Sequence, residues 1–279
     1  MENYYNIMSI SISIFIPLLI FSLVYLKERS VKRSEKKKER KYLIKFLFNL
    51  LIELEKNLKE YPSHLKEISE IILTNYSKLI SVVFESHTGG IINRLSKIDS
   101  KELHIAIIVE IKKTNPIILY QKIYREIDFF DDFYKRLLET IKNYHKSSAD
   151  IKIEFRKGLY DFMNFHANLL TSLKSNDSYN EYVEYTVNLT ENYLSKQSDD
   201  LDYHLEYLNL ISIYVKKNHR TEFFANEIIE RIKKQKIILD DLKGNAMMYS
   251  HYYISNSKEL IESLDEIRLI ITELKENGI

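Results

Sequence analysis

Between residues 120 and 144 the apolar side chains recur alternately three and four residues apart: Tyr120, Ile123, Ile127, Phe130, Tyr134, Leu137, Ile141 and Tyr144. An α-helix turns once in about 3.6 residues, so these side chains share one stripe of a helix. Held over more than three heptads, the spacing marks a helix packed lengthwise on another helix. It resumes after Ser147-Ser148 in Phe155, Leu159, Phe162, His166, Leu169 and Leu173. Asn115-Pro116 supplies a start, an N-cap followed by proline at the first helical position. The two rows predict two long helices over residues 115–175 that turn at the serine pair and mesh antiparallel at roughly 20°.

The rest of the chain has the same character. Only 5 glycines and 3 prolines occur in 279 residues, too few to punctuate a fold of many short strands or to line a phosphate loop. Cysteine is absent, which excludes disulfides, thiol nucleophiles and cysteine zinc sites. Residues 42–58 read as a deeply buried helix with one polar stripe, Lys45, Asn49, Glu53, Lys56 and, past its end, Glu60, closed by Pro62. A second helix is expected from Ser63 until Gly89-Gly90 stops it. Asp99-Ser100 caps a third, over 101–113; its β-branched run reads as helix because no second strand-like run exists to pair with it. Asp177 or Ser178 caps a helix carrying Tyr179, Tyr182, Thr186, Leu189 and Tyr193. Residues 201–215 and 224–232 form the next pair, Gly244 marks a stop, and Leu260, Leu264, Ile267, Ile271 and Leu274 make the last seam. No 30-to-45-residue repeat points to a solenoid. The fold class is all-α, expected as an elongated antiparallel helical bundle over 62–279.

Residues 7–26 carry no charge. A helix of that length spans about 30 Å, the thickness of a bilayer's hydrocarbon core. A cleaved signal peptide would have a basic start and a small-x-small site. Here the start is Met-Glu-Asn-Tyr-Tyr-Asn and the far end Val24-Tyr25-Leu26-Lys27. The expectation is a single-pass transmembrane anchor over 1–26, with the bilayer as partner of 7–26 and Tyr4, Tyr5 and Tyr25 at its interfaces. A basic segment over 27–61 follows and runs into the amphipathic helix. Residues 27–45 hold ten Lys or Arg against three Glu, a net of +7. The chain as a whole is +1 and Glu2 is the only charge before the collar, so residues 46–279 carry −5. By the positive-inside rule the bulk of the chain lies on the cytoplasmic side of an inner membrane, with the N-terminus outside. Lys27, Arg29, Lys32, Arg33, Lys36, Lys37, Lys38, Arg40 and Lys41 are the residues that set this topology and can meet anionic lipid headgroups. No aromatic residue interleaves them and the body is acidic, so nucleic acid is not an expected partner.

No motif for catalysis emerges. None of the eight histidines has Glu three residues before it, as a diiron bundle needs, and no His-Glu-x-x-His occurs. Arg136 precedes His145 by nine residues and Arg156 precedes His166 by ten, which fails the four-to-six spacing of HEPN ribonucleases. Neighbouring acids at 131–132, 199–202 and 240–241 diverge around a helix rather than chelate, and Asp199-Asp200 reads as a cap for the helix from Leu201. His166 sits on an apolar seam and is expected as a core histidine bonded to a tyrosine or carboxylate. No cofactor, no metal and no enzymatic activity are expected. The functional expectation is a membrane-anchored helical interaction or scaffold protein, binding a protein partner or a second copy of itself. Tyr179, Tyr182, Tyr185 and Tyr193 are the candidate partner surface, since amphipathic rings suit interfaces. The alternative is a membrane-associated effector of a stress or phage-defence (abortive infection) response.

Overall fold

The computed structural model describes residues 2–78, 89–196 and 198–279, with side chains from residue 20 onward. It is all-helical, and no strand occurs among the described residues. The helices are α1 (Glu2–Leu58), α2 (Tyr61–Thr74), α3 (Gly89–Ser96), α4 (Ser100–Glu110), α5 (Pro116–Leu173), α6 (Asn180–Ser195), α7 (Leu201–Asn218) and α8 (Ala225–Glu276), with a 3-10 turn at Asp177–Tyr179. The chain divides into two compact units.

The first unit comprises Met1–Leu58, His87–Asp131 and Ser263–Ile279. Its core takes Ile44, Leu47, Leu51, Leu54 and Leu58 from α1, all at most 3% exposed. The polar stripe read from the sequence, Lys45, Asn49, Glu53 and Lys56, faces solvent. Each buried leucine contributes roughly 1.5–3 kcal/mol, so this once-per-turn row holds α1 in place. Its main neighbours are α3 and α4. Asp99 caps α4 as expected, accepting from Glu102 N at 2.8 Å. The β-branched run is helical there, burying Leu103, Ala106 and Ile107. Asn115 caps α5, accepting from Ile117 N at 3.0 Å. The start of α5 pairs antiparallel with the end of α8: Lys122 Nζ lies 2.8 Å from Glu273, Arg125 3.4 Å from Glu266, and Ser263 donates to Glu126.

The second unit comprises Lys59–Ser86 and Asp132–Glu262. Here too α5 and α8 run antiparallel. Arg136 meets Glu259 at 3.4 Å, Tyr144 packs edge-on against Tyr249, Ser147 Oγ and Asn245 Oδ1 are 3.2 Å apart, and Arg231 lies over the Phe165 ring. α2 lies along α8 through Ser257 donating to the Pro62 carbonyl and Ser69 bonding Ser250 at 2.6 Å. α6 and α7 complete the core with Tyr182, Leu208, Ile211 and Val215 around Phe162, Phe224 and Ile228.

Three sequence expectations are corrected. Residues 115–175 do not form a hairpin: α5 is one 58-residue helix through Ser147-Ser148. The seam does not break at the serines but is carried across by polar residues, Tyr144, buried Ser148, buried Lys152, then Phe155. Lys152 satisfies its ammonium on the Lys78 carbonyl at 2.5 Å. The Phe155–Leu173 row therefore faces α6, α7 and α8, not the row before it. Gly244 does not stop a helix; α8 continues through it, and a Cβ there would meet nothing within 4 Å. A solvent-side glycine costs a helix about 1 kcal/mol, less than long packing returns. Gly89-Gly90 begins α3 rather than ending the helix from Ser63. α2 ends at Thr74, where Thr74 Oγ1 and Asn75 N take the carbonyls of Glu70 and Ile71. Expected core positions Leu79, Ile80 and Val83 lie outside the described residues.

Among the described residues no helix is long and apolar enough to cross a membrane. The span expected at 7–26 falls at 7–19 outside the residues whose side chains are described.

Candidate functional site

Two sets of residues carry the functional expectations. The first is on α1. Residues 20–26 follow one another on the helix, and Ile20, Phe21, Leu23, Val24, Tyr25 and Leu26 are all more than half exposed. Exposure of consecutive apolar residues on every side of a helix is not the one-faced pattern of a core helix. The basic collar follows directly. Lys27, Arg29, Lys32, Arg33, Lys36, Lys37, Lys38 and Lys41 project into solvent, and among the described residues only Arg40 of this collar is ion-paired, with Glu110 at 3.0 Å. Like charges along one exposed helix repel, and an anionic surface relieves that repulsion.

The second set is the tyrosine row of α6 and the turn before it. Its residues separate into different environments. Tyr182 is fully buried, which corrects its assignment to a partner surface. Its hydroxyl hydrogen-bonds His166 Nε2 at 2.7 Å and its ring stacks on Phe224 at 5.1 Å. Burial, opposing any charge there, pushes the Tyr182 phenol well above its usual range and holds His166 down at about 4. The pair is thus neutral at ordinary pH, and His166 is the tyrosine-bonded core histidine that its place on the seam suggested. Tyr185, half-buried, stacks on Tyr214 with centroids 3.9 Å apart. Tyr193, also half-buried, stacks on Tyr207 at 4.1 Å and bonds His204 Nδ1 at 2.6 Å; burial, then Tyr207 and Tyr203, push its hydroxyl up to about 12. Tyr179 donates to Glu222 at 2.7 Å, and that carboxylate raises its pKa. These rings tie α6 to α7 and to the segment before α8, and Tyr179, Tyr185 and Tyr193 keep an edge in solvent.

Several members of this cluster were not singled out by the sequence: Tyr207, Tyr214, His219 and Thr190, which bonds Tyr207 at 2.9 Å. The available signal was Tyr207 and Tyr214 seven apart on one helix. The acidic neighbours do structural work. Asp200 caps α7 by accepting from Asp202 N at 3.0 Å, as expected, and Asp202 accepts from Tyr76. Among the described residues no three His, Asp or Glu converge to hold a metal ion.

Compared with known proteins, the chain matches no family model, no curated protein and no solved structure.

Proposed function

We propose that this chain is a single-pass, membrane-anchored helical protein whose body presents an interaction surface or scaffold on the cytoplasmic face of an inner membrane. The observation that carries the reading is the run of exposed apolar residues at 20–26, leading straight into the solvent-facing basic collar on the same continuous helix. Such a run in water exposes apolar area that folding has not removed, and a bilayer removes it at roughly 25 cal/mol per Å². The collar then sets the orientation by the positive-inside rule and adds about 1 kcal/mol per cation near anionic headgroups. The body's net negative charge keeps it off that same surface.

Alkaline extraction of membranes from cells making the full chain tests the anchor. Retention in the pellet is expected, with release when residues 7–26 are deleted; release of the full chain would overturn the reading. Protease added from the cytoplasmic side should cut the body and not the anchor. Cross-linking in intact membranes should capture a second protein or a second copy. Growth arrest on overproduction that disappears with residues 7–26 would instead assign the chain to membrane effectors.

A further inference from the structure

The first unit contains a cleft of about 600 Å³ between α1, the end of α4 and the end of α8. Its lining side chains include five cations, Lys37, Arg40, Lys41, Lys45 and Lys112, against one carboxylate, Glu110. Glu110 is spent on Arg40 at 3.0 Å, leaving four lysines. Lys37, Lys41 and Lys45 are four residues apart and so share one face of α1. Lys112 faces them from beyond α4. None of the four makes an ion pair or side-chain hydrogen bond among the described residues, whereas Arg94, Lys122, Arg125 and Arg268 of the same unit are all paired. The opposite wall is pinned: Asn277 Oδ1 accepts from the backbone N of Lys112 at 3.1 Å and of Lys113 at 2.8 Å. Three exposed ammonium groups on one face of α1 and a fourth on the segment after α4 thus border one cleft, an electropositive site that a polyanion would neutralise.

We propose that this cleft binds a soluble anion bearing more than one phosphate charge. A headgroup of the bilayer offers the same chemistry, and distance decides against it. At 1.5 Å per residue Lys37 lies about 17 Å and Lys45 about 29 Å along α1 from Leu26. The headgroup layer adds only about 5–8 Å beyond the hydrocarbon. Lys27, Arg29 and Lys32 reach that layer; the cleft does not. The choice of a soluble ligand thus rests on the membrane reading above, while the cleft does not. The volume suits a small ligand.

The test is calorimetric titration of the full chain, in uncharged detergent, with inorganic tripolyphosphate. One saturable site is expected, weakening as salt rises. Lys41→Ala with Lys112→Ala should weaken it about tenfold or more, and Lys45→Ala alone by several-fold, at unchanged melting temperature. Lys27→Ala with Arg29→Ala should leave it within about twofold. Absence of saturable binding, or equal loss from both double variants, overturns the proposal. In vesicles, replacing pure phosphatidylcholine by an equimolar mixture with phosphatidylglycerol should not alter tripolyphosphate affinity. Competition that needs Lys41 and Lys112 would assign the cleft to headgroups and overturn the soluble source. Release of the full chain by alkali would sink the anchor while leaving the titration readable; retention without binding would sink the cleft alone.

Discussion

Replacing His166 by glutamine should flatten the acid side of the stability profile. His166 is 2% exposed, lies flat on Phe162 and bonds Tyr182, and burial holds its pKa down at about 4 against an ordinary 6.5. Between these values the unfolded chain takes up a proton that the folded chain refuses. The pKa is depressed on folding, so its contribution is fully present above pH 6.5 and is lost as pH falls towards 4. The two values together give a loss of about 2.5 kcal/mol between pH 7.5 and 4.5. Burial lowers the His204 pKa as well, so the informative quantity is a difference between proteins. Urea unfolding of the full chain in uncharged detergent reads it, followed by tyrosine circular dichroism, since tryptophan is absent. His166→Gln should be less stable at pH 7.5 yet lose about 2.5 kcal/mol less than the parent on acidification. Equal losses for parent and His166→Gln would refute the buried neutral imidazole.

Urea unfolding midpoints also check three further expectations. Ser147→Pro should cost about 3 kcal/mol or more, because the site is helix interior; a turn there would tolerate proline. Gly244→Ala should gain about 0.5–1 kcal/mol, while Gly158→Ala, whose Cβ would run into the buried Gln235 amide, should lose about 1–3 kcal/mol and recover when Gln235→Ala is added. Leu137→Ala, at a residue 1% exposed, should cost about 2–5 kcal/mol and Lys142→Ala, on the solvent side, less than about 0.5 kcal/mol.

Much of the candidate site was legible because its signals are local. The collar is a run of charges, and it remains exposed as such a run must. His166 on an apolar row, in a chain with 21 tyrosines, points to a tyrosine partner, and Tyr182 is that partner. Which tyrosines face outward was not legible. Tyr182 and Tyr185 are three apart and of one chemistry, yet one is fully buried and the other half-buried. Tyr214 of α7 stacks on both, and Phe224, just before α8, stacks on Tyr182. The lysine-lined cleft was equally hidden, because Lys112 stands 67 residues from Lys45 in the chain.

The sequence by itself determined that the chain is all-helical and where many helices begin. Capping is a contact between a residue and backbone two or three positions away, so Asp99, Asn115 and Asp200 announce their helices without help from the fold. The three-four spacing likewise marks which side of each helix is apolar. It does not name the partner, because any apolar stripe satisfies any other. Only the tertiary structure decided that the two rows of α5 run on as one helix beside α8, with Ser148 and Lys152 bridging the seam. A serine pair or a lone glycine weakens a helix by about a kcal/mol, and whether the helix survives depends on the packing energy that distant residues supply along its length.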